Sequence, residues 1–385
     1  MKINSLIILV VFLTIVSCNS KNSKKEDVVK VETSEATLLQ RWSVDRANKW
    51  YETQGWLVGA NYAPASAINQ LEMWQEETFD PDRIDLELRW AEELGFNTMR
   101  VFLHDLVWKQ NAKAYLERID TYLELAHSYG IKTMLVLLDD VWDPNPKLGQ
   151  QKAPILGVHN SGWVQSPGKD VLIDSLQWKR LEHYIKGVIS HFKDDKRVII
   201  WDLYNEPGNL NSNSYGEFEP KNKEVHSLNL MKKVFTWARE VNPSQPLCVG
   251  VWTSINKPLN QMSAIDAYAY KNSDIINFHC YANAETTRSM VERLASSNRP
   301  LICTEYLARA VGSTFKDILP VFKKHHVACY NWGFVSGKSQ TIYPWDSWEK
   351  PYNQEPELWF HDIYREDGSP YKMKEVQFIK ELLSK

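Results

Sequence analysis

VIIWDLYNEP occupies residues 198–207. Six apolar or aromatic residues crowd its start, and it closes on Asn205, Glu206 and Pro207. A run this hydrophobic is too short for a buried helix and reads as a parallel strand covered on both faces. Pro207 has no N–H for further pairing, so it turns the chain out of the sheet. The polar ending therefore marks the point where the strand leaves the core.

Seven more runs share this character, at 56–62, 96–103, 131–140, 246–252, 274–281, 299–306 and 327–335, and with the first, in its wider frame 197–206, they make eight. Amphipathic patterns fill the intervals. DPDRIDLELRWAEELG (80–95) opens on an acidic cap with Pro81, repeats apolar residues three and four apart, and stops on Gly95. Similar patterns occupy 114–130, 175–192, 222–241, 284–297, 313–326 and 371–383, with the weakest at 258–272. Eight strands alternating with helices specify the α/β class and a single (β/α)8 TIM barrel. Long loops follow strands 3 and 8, at 141–174 and 336–360. Both leave the C-terminal ends of strands, where barrel sites are built.

The chain has 385 residues, 43% of them hydrophobic, and a net charge of −3 with both signs mixed. That excludes global disorder and gives no basic patch for nucleic acid. The 16 Trp and 17 Tyr are the outlier. Flat rings can stack on the C–H faces of pyranoses, and Trp142, Trp163, Trp345 and Trp348 sit in the two long loops, available for that or for packing.

MKINSLIILVVFLTIVSC (1–18) reads as a targeting segment, with an apolar run too short for a comfortable membrane span. Its end, IVSC, resembles the lipobox of bacterial lipoproteins, in which Cys18 is lipidated; the plainer alternative is an ordinary signal peptide. Residues 19–41 are polar and read as a flexible tether, leaving 42–385 for the barrel. The expected location is the bacterial cell envelope, with membrane contact only through Cys18. Cys248, Cys280, Cys303 and Cys329 lie in strand-like runs. Strand alternation puts Cys280 and Cys303 on opposite faces, so free buried thiols are expected.

Polar residues gather at the strand ends: Asn61, Arg100, Asp139, Asp140, Asn205 and Glu206, then His279, Tyr281, Glu305 and Trp332. In a barrel these ends converge on one mouth. Glu206 and Glu305 close the fourth and seventh strands, and two carboxylates facing one cleft can divide a glycosidic displacement between them.

NEP ending the fourth strand, HCY the sixth, TEY the seventh and a Trp on the eighth resemble the retaining β-glycosidases of glycoside hydrolase clan A, most nearly family 5. The resemblance spans the folded chain from Gly59 to the last helix. It implies Glu206 as acid/base, Glu305 as nucleophile, and Asn205 as the partner of the sugar 2-hydroxyl. It implies that Arg100 and Tyr281 hold Glu305, that His279 lies beside the acid/base, and that Trp332 floors the sugar. The family commonly has a His near the end of the third strand, where this chain has LLDD. Asp139 and Asp140 then either bind sugar hydroxyls or brace the loop, and His104 is a candidate for the vacated space. Asn61, Trp142 and Trp345 complete the expected substrate-binding set. No metal or cofactor is implied, since no Cys or His pair has ligand spacing and no His-x-His follows the first strand. A β-linked glycan such as mannan, glucan or xylan is the expected substrate. The alternatives are a non-catalytic carbohydrate-binding lipoprotein and a transglycosylase.

Overall fold

The computed structural model describes residues 40–384. The targeting segment with Cys18, and almost all of the tether, lie outside the described residues. Eight parallel strands form the sheet: β1 Val58–Tyr62, β2 Thr98–Phe102, β3 Lys132–Val136 and β4 Val198–Asn205, then β5 Leu247–Gly250, β6 Ile276–His279, β7 Leu301–Tyr306 and β8 Ala328–Asn331. Each expected run holds one of them. The order β5-β4-β3-β2-β1-β8-β7-β6 closes when β5 meets β6 through a single bridge between Val251 and Phe278. Apart from Lys132, every strand residue is buried, which is why the runs read as continuous rather than alternating.

Helices fill the intervals for the local reasons expected. In Pro81–Leu94, Asp80 caps the Arg83 N–H, Pro81 fills the first turn, and Gly95 ends the helix at φ +94°. The helix expected at 114–130 begins earlier, as Asp105–Ser128, with a break at Asn111. The weak fifth interval forms a helix over Ala264–Asn272. Short helices at Gln70–Trp74 and Lys169–Ile173 were not expected, nor was Val44–Glu52, which is capped by Ser43 and inserts Tyr51 beneath the barrel. Tyr51 joins Leu57, Met134, Ile200, Ile302 and Tyr330 in the inner core and so plugs the closed end. Burial of each such side chain is worth about 1.5–3 kcal/mol.

All four cysteines in the barrel are free and buried. The reason differs from simple strand alternation. Cys280 and Cys303 both belong to the outer core between sheet and helices, whereas Glu305 faces the cleft. The register slips between Cys303 and Tyr306 on β7, and between Asp202 and Asn205 on β4. A bulge shifts every later side chain to the other face, so parity counted across it fails. Glu206 lies just past one slip and Glu305 lies within the other.

The two long loops lock together across the mouth. His159 N–H donates to Ser347 Oγ at 2.9 Å, Asn160 N–H to Ser339 O at 2.9 Å, and Tyr352 N–H to Gly157 O at 3.0 Å. A Cβ on Gly157 would fall 1.7 Å from Tyr352 O, and its φ is +75°, so this crossing needs glycine.

Candidate active site

Arg100 lies at the centre of the mouth, with no exposed surface. Its guanidinium has five N–H donors, and all five are used. Two go to Asp202 Oδ2 at 3.1 and 2.7 Å, one to Asn61 Oδ1 at 2.7 Å, one to Asn205 Oδ1 at 2.7 Å and one to Glu305 Oε1 at 3.2 Å. The guanidinium carbon lies 4.7 Å from the centre of the Phe102 ring. A planar, permanently charged fork is the side chain that can hold four residues from three strands at once.

Glu305 receives a second donor, Tyr281 Oη, at 2.8 Å from Oε2. Burial pushes its pKa above the ordinary carboxylate value and Glu206 adds to this, while His279, Arg100 and Tyr281 oppose the shift. Glu206 has a different surrounding. It sits at φ +43°, a left-handed conformation costly for a residue with a side chain. Its N–H is held by Gly250 O at 2.9 Å, its Oε1 faces His279 Nδ1 at 2.8 Å, and its Oε2 accepts from Asn209 Nδ2 at 2.6 Å. Burial pushes its pKa up to about 7.

His279 stands between the two glutamates, with Nδ1 3.5 Å from Glu305 Oε2 as well. Burial lowers its pKa to about 4, so the imidazole is neutral. Its Nε2 finds no partner among the described residues. An unpaired acceptor costs less than an unpaired donor, so the proton belongs on Nδ1, aimed at the carboxylates. Oxygens of Glu206 and Glu305 and a nitrogen of His279 all lie within 4.8 Å of one another.

Asn205 is oriented from both sides. Its oxygen must face Arg100, which only donates, and its amide donates to Asp139 Oδ1 at 2.9 Å. One amide hydrogen is left for a ligand. Asp139 is 1% exposed and accepts four hydrogen bonds, from Asn205, Trp163, Gln70 and the Val141 N–H. Burial pushes its pKa up to about 8 against those donors.

The expected substrate-binding set therefore divides. Asn205, Tyr281, Trp332, Trp142 and Trp345 line a cleft of about 500 Å³ with both glutamates. Asn61, Arg100, Asp139 and Asp140 do not line it, and their polar atoms are spent on protein partners. Asp140 is the plainest correction. It accepts from Tyr204 Oη at 2.6 Å, Gly208 N–H at 2.6 Å and Ser227 Oγ at 2.5 Å, bracing the loop that follows Glu206. His279 is likewise buried and acts on the carboxylates. His104 caps its own helix through Leu106 N–H, away from the cleft. The histidine that does line the cleft is His159, from the loop after β3.

Sequence reasoning missed Asp202, Asn209 and Trp252. Asp202 carried a signal: a carboxylate in the middle of a doubly buried strand must be paired to be tolerated. Asn209 and Trp252 lie in loops whose path the sequence does not announce.

The cellulase family, glycosyl hydrolase family 5, matches residues 88–338, more than half of the chain. No curated protein matches. Among solved structures, GH5_18 from Streptomyces cattleya, in complex with GlcNAc, is similar at TM-score 0.56 and 12% identity, over 85% of this chain and 79% of that one. The exo-β-1,4-mannosidase Op5Man5 from Opitutaceae bacterium strain TAV5 is similar at 0.55 and 19%, over 85% and 59%. The endo-1,4-β-mannanase from Rhizomucor miehei is similar at 0.54 and 15%, over 86% and 95%. At these identities the structures establish the barrel fold.

Proposed function

The chain belongs to glycosyl hydrolase family 5, and from that premise we propose that it is a retaining β-glycoside hydrolase, with Glu305 as nucleophile and Glu206 as acid/base. The observation that carries this reading is the approach of the two carboxylates, with oxygens within 4.8 Å of each other. Retaining enzymes hold the pair about 5–5.5 Å apart, and inverting ones need roughly 6.5–9.5 Å to admit a water between.

The surroundings divide the roles. Glu305 has a cation and a phenol donating to it, which favours an ionised nucleophile. No Lys or Arg among the described residues contacts Glu206, and its raised pKa leaves a proton available near neutral pH. In the first step a Glu305 oxygen bonds to the anomeric carbon as the C–O bond to the leaving group breaks. The leaving oxygen takes the Glu206 proton. In the second step Glu206, now ionised, takes a proton from water as the water oxygen displaces Glu305 from the sugar, with configuration retained overall. The free Asn205 amide hydrogen suits the 2-hydroxyl, and Trp332 suits the sugar face.

The substrate is a β-linked glycan or oligosaccharide of the mannan, glucan or xylan kind. Mannosides come first for testing, because several similar structures are of mannan-acting enzymes. Following the product anomer by NMR from the first turnover decides the mechanism: initial release of the β-anomer supports it, and initial α-anomer refutes it. We also propose a lipid anchor on Cys18 in a bacterial envelope, carried by IVSC alone; Cys18→Ser should move the protein from the membrane to the soluble fraction.

A further inference from the structure

The cleft is open at one end and walled at the other, and the two ends are distinguishable by chemistry. Its exposed lining comes from the loops after β4 and β5: Trp252 is 46% exposed and Leu210 45%, with Ser212, Asn213, Thr253 and Glu224 beside them also exposed. The lining from the loops after β3 and β8 is inward-facing. His159 is 2% exposed, Trp332 8% and Val141 9%, and Trp142, Trp345 and Trp348 are half-buried.

That wall is braced from behind. Trp142 stacks on Trp348 at 5.6 Å, and Trp348 meets Tyr215 edge-on at 5.3 Å. Tyr215 Oη then donates to Ser161 O at 2.7 Å, tying the loops after β3, β4 and β8 together. The segment after β1 seals the remaining side. Asn69 and Gln70 donate to Gly162 O and Val164 O at 2.8 and 3.0 Å, and Lys338 N–H to Ala65 O at 3.1 Å. The adjoining hollow that also touches Trp332 and Trp163 has a volume of about 30 Å³. That is room for water and none for a pyranose.

The open end lies beside Glu206, which precedes Leu210 on the same loop. A general acid must sit by the leaving group, so the open end receives the leaving part of the substrate. The walled end holds the sugar that bonds to Glu305. Resting on the hydrolase reading above, we propose that the cleft is a dead-end pocket for a single terminal sugar, so that the enzyme removes residues one at a time from the non-reducing end. The remainder of the chain extends over Leu210 and Trp252.

The test uses the full-length enzyme with β-linked gluco-, manno- and xylo-oligosaccharides of two to six units, labelled at the reducing end. An aryl β-glycoside serves as control, and each active oligosaccharide is also prepared with a methyl ether on the terminal 4-hydroxyl. The expected result is stepwise loss of single sugars, with the labelled products shortening by one unit at a time. The methyl ether should slow release at least a hundredfold. Labelled products from internal cleavage, or unchanged turnover of the blocked substrate, would overturn the dead-end pocket while leaving the hydrolase reading intact. Absence of turnover on every substrate, aryl glycoside included, would overturn both.

Discussion

Arg100 gives two of its five N–H groups to one oxygen of Asp202, at 3.1 and 2.7 Å, and one to Glu305, at 3.2 Å. The cation that holds the nucleophile is thus already largely neutralised. This sets up a separation between effects on stability and effects on titration.

Asp202→Asn removes the counter-charge and leaves Arg100 bonded to a neutral oxygen. Breaking a buried ion pair from one side costs about 3–5 kcal/mol, so the melting temperature should fall. Freed from Asp202, the Arg100 charge acts more strongly on Glu305 and favours its ionised form. The acid limb of kcat/KM, set by Glu305, should then move to lower pH. A fall in melting temperature with an unmoved acid limb would reduce Asp202 to a purely structural partner.

Glu305→Ala should bring turnover of an aryl β-glycoside to near the detection limit while the circular dichroism spectrum is unchanged. Glu206→Ala should lower kcat by about 10²–10⁴ on poor leaving groups, the range a general acid supplies. With a good leaving group, azide should restore turnover to the Glu206 variant and yield a glycosyl azide of retained configuration, whereas azide acting in place of the missing carboxylate of the Glu305 variant yields the inverted azide. Wild-type activity in either variant, or a retained azide from the Glu305 variant and an inverted one from the Glu206 variant, contradicts the assignment of roles.

The barrel was legible because its signal is redundant. Eight hydrophobic runs each say strand, and the sheet placed one strand in each. Glu206 and Glu305 were legible because a strand end is a fixed address at the barrel mouth. What failed was the step from residue type to exposure. Asp139 and Asp140 look like hydroxyl ligands in LLDD, yet both are buried behind Asn205 and Gly208. Sequence cannot show this, because it depends on where the 141–174 loop crosses Asp139 and where the chain after Glu206 folds back over Asp140. The cysteine parity argument failed for a related reason: a bulge is a one-residue slip with no marker in the sequence.

Asp140→Ala tests the reassignment. Three donors lose their acceptor at once, and the Gly208 N–H is among them. Each buried unsatisfied group costs about 1–3 kcal/mol, so the fold should be destabilised measurably by denaturant. Gly208 sits two residues past Glu206, so misplacement of the acid should appear in kcat. A sugar ligand would instead show itself in KM. A raised KM with kcat unchanged would return Asp140 to substrate binding.

Glu206→Gln should cost activity and stabilise the protein, and the sign follows from its surroundings. Burial raises the Glu206 pKa from 4.5 to about 7 in the fold. Between those values the folded state holds a proton that the unfolded state has released, so stability falls as pH rises through the window. Above pH 7 the native protein bears the full penalty of an ionised, poorly solvated carboxylate. Glutamine keeps the shape without that charge: its oxygen can accept from Asn209, and its amide can donate to His279 Nδ1 once the neutral imidazole carries its proton on Nε2. The variant should therefore melt at higher temperature than the native protein at pH 8, by an amount corresponding to about 1–3 kcal/mol. The difference should shrink towards zero below pH 4.5, where both side chains are neutral. The same titration sets the basic limb of the activity profile near pH 7, and that limb should vanish in the glutamine variant when the leaving group needs no proton. Melting curves that stay parallel from pH 4 to 8 would show that Glu206 keeps an ordinary pKa, and with it the acid role would lose its physical basis.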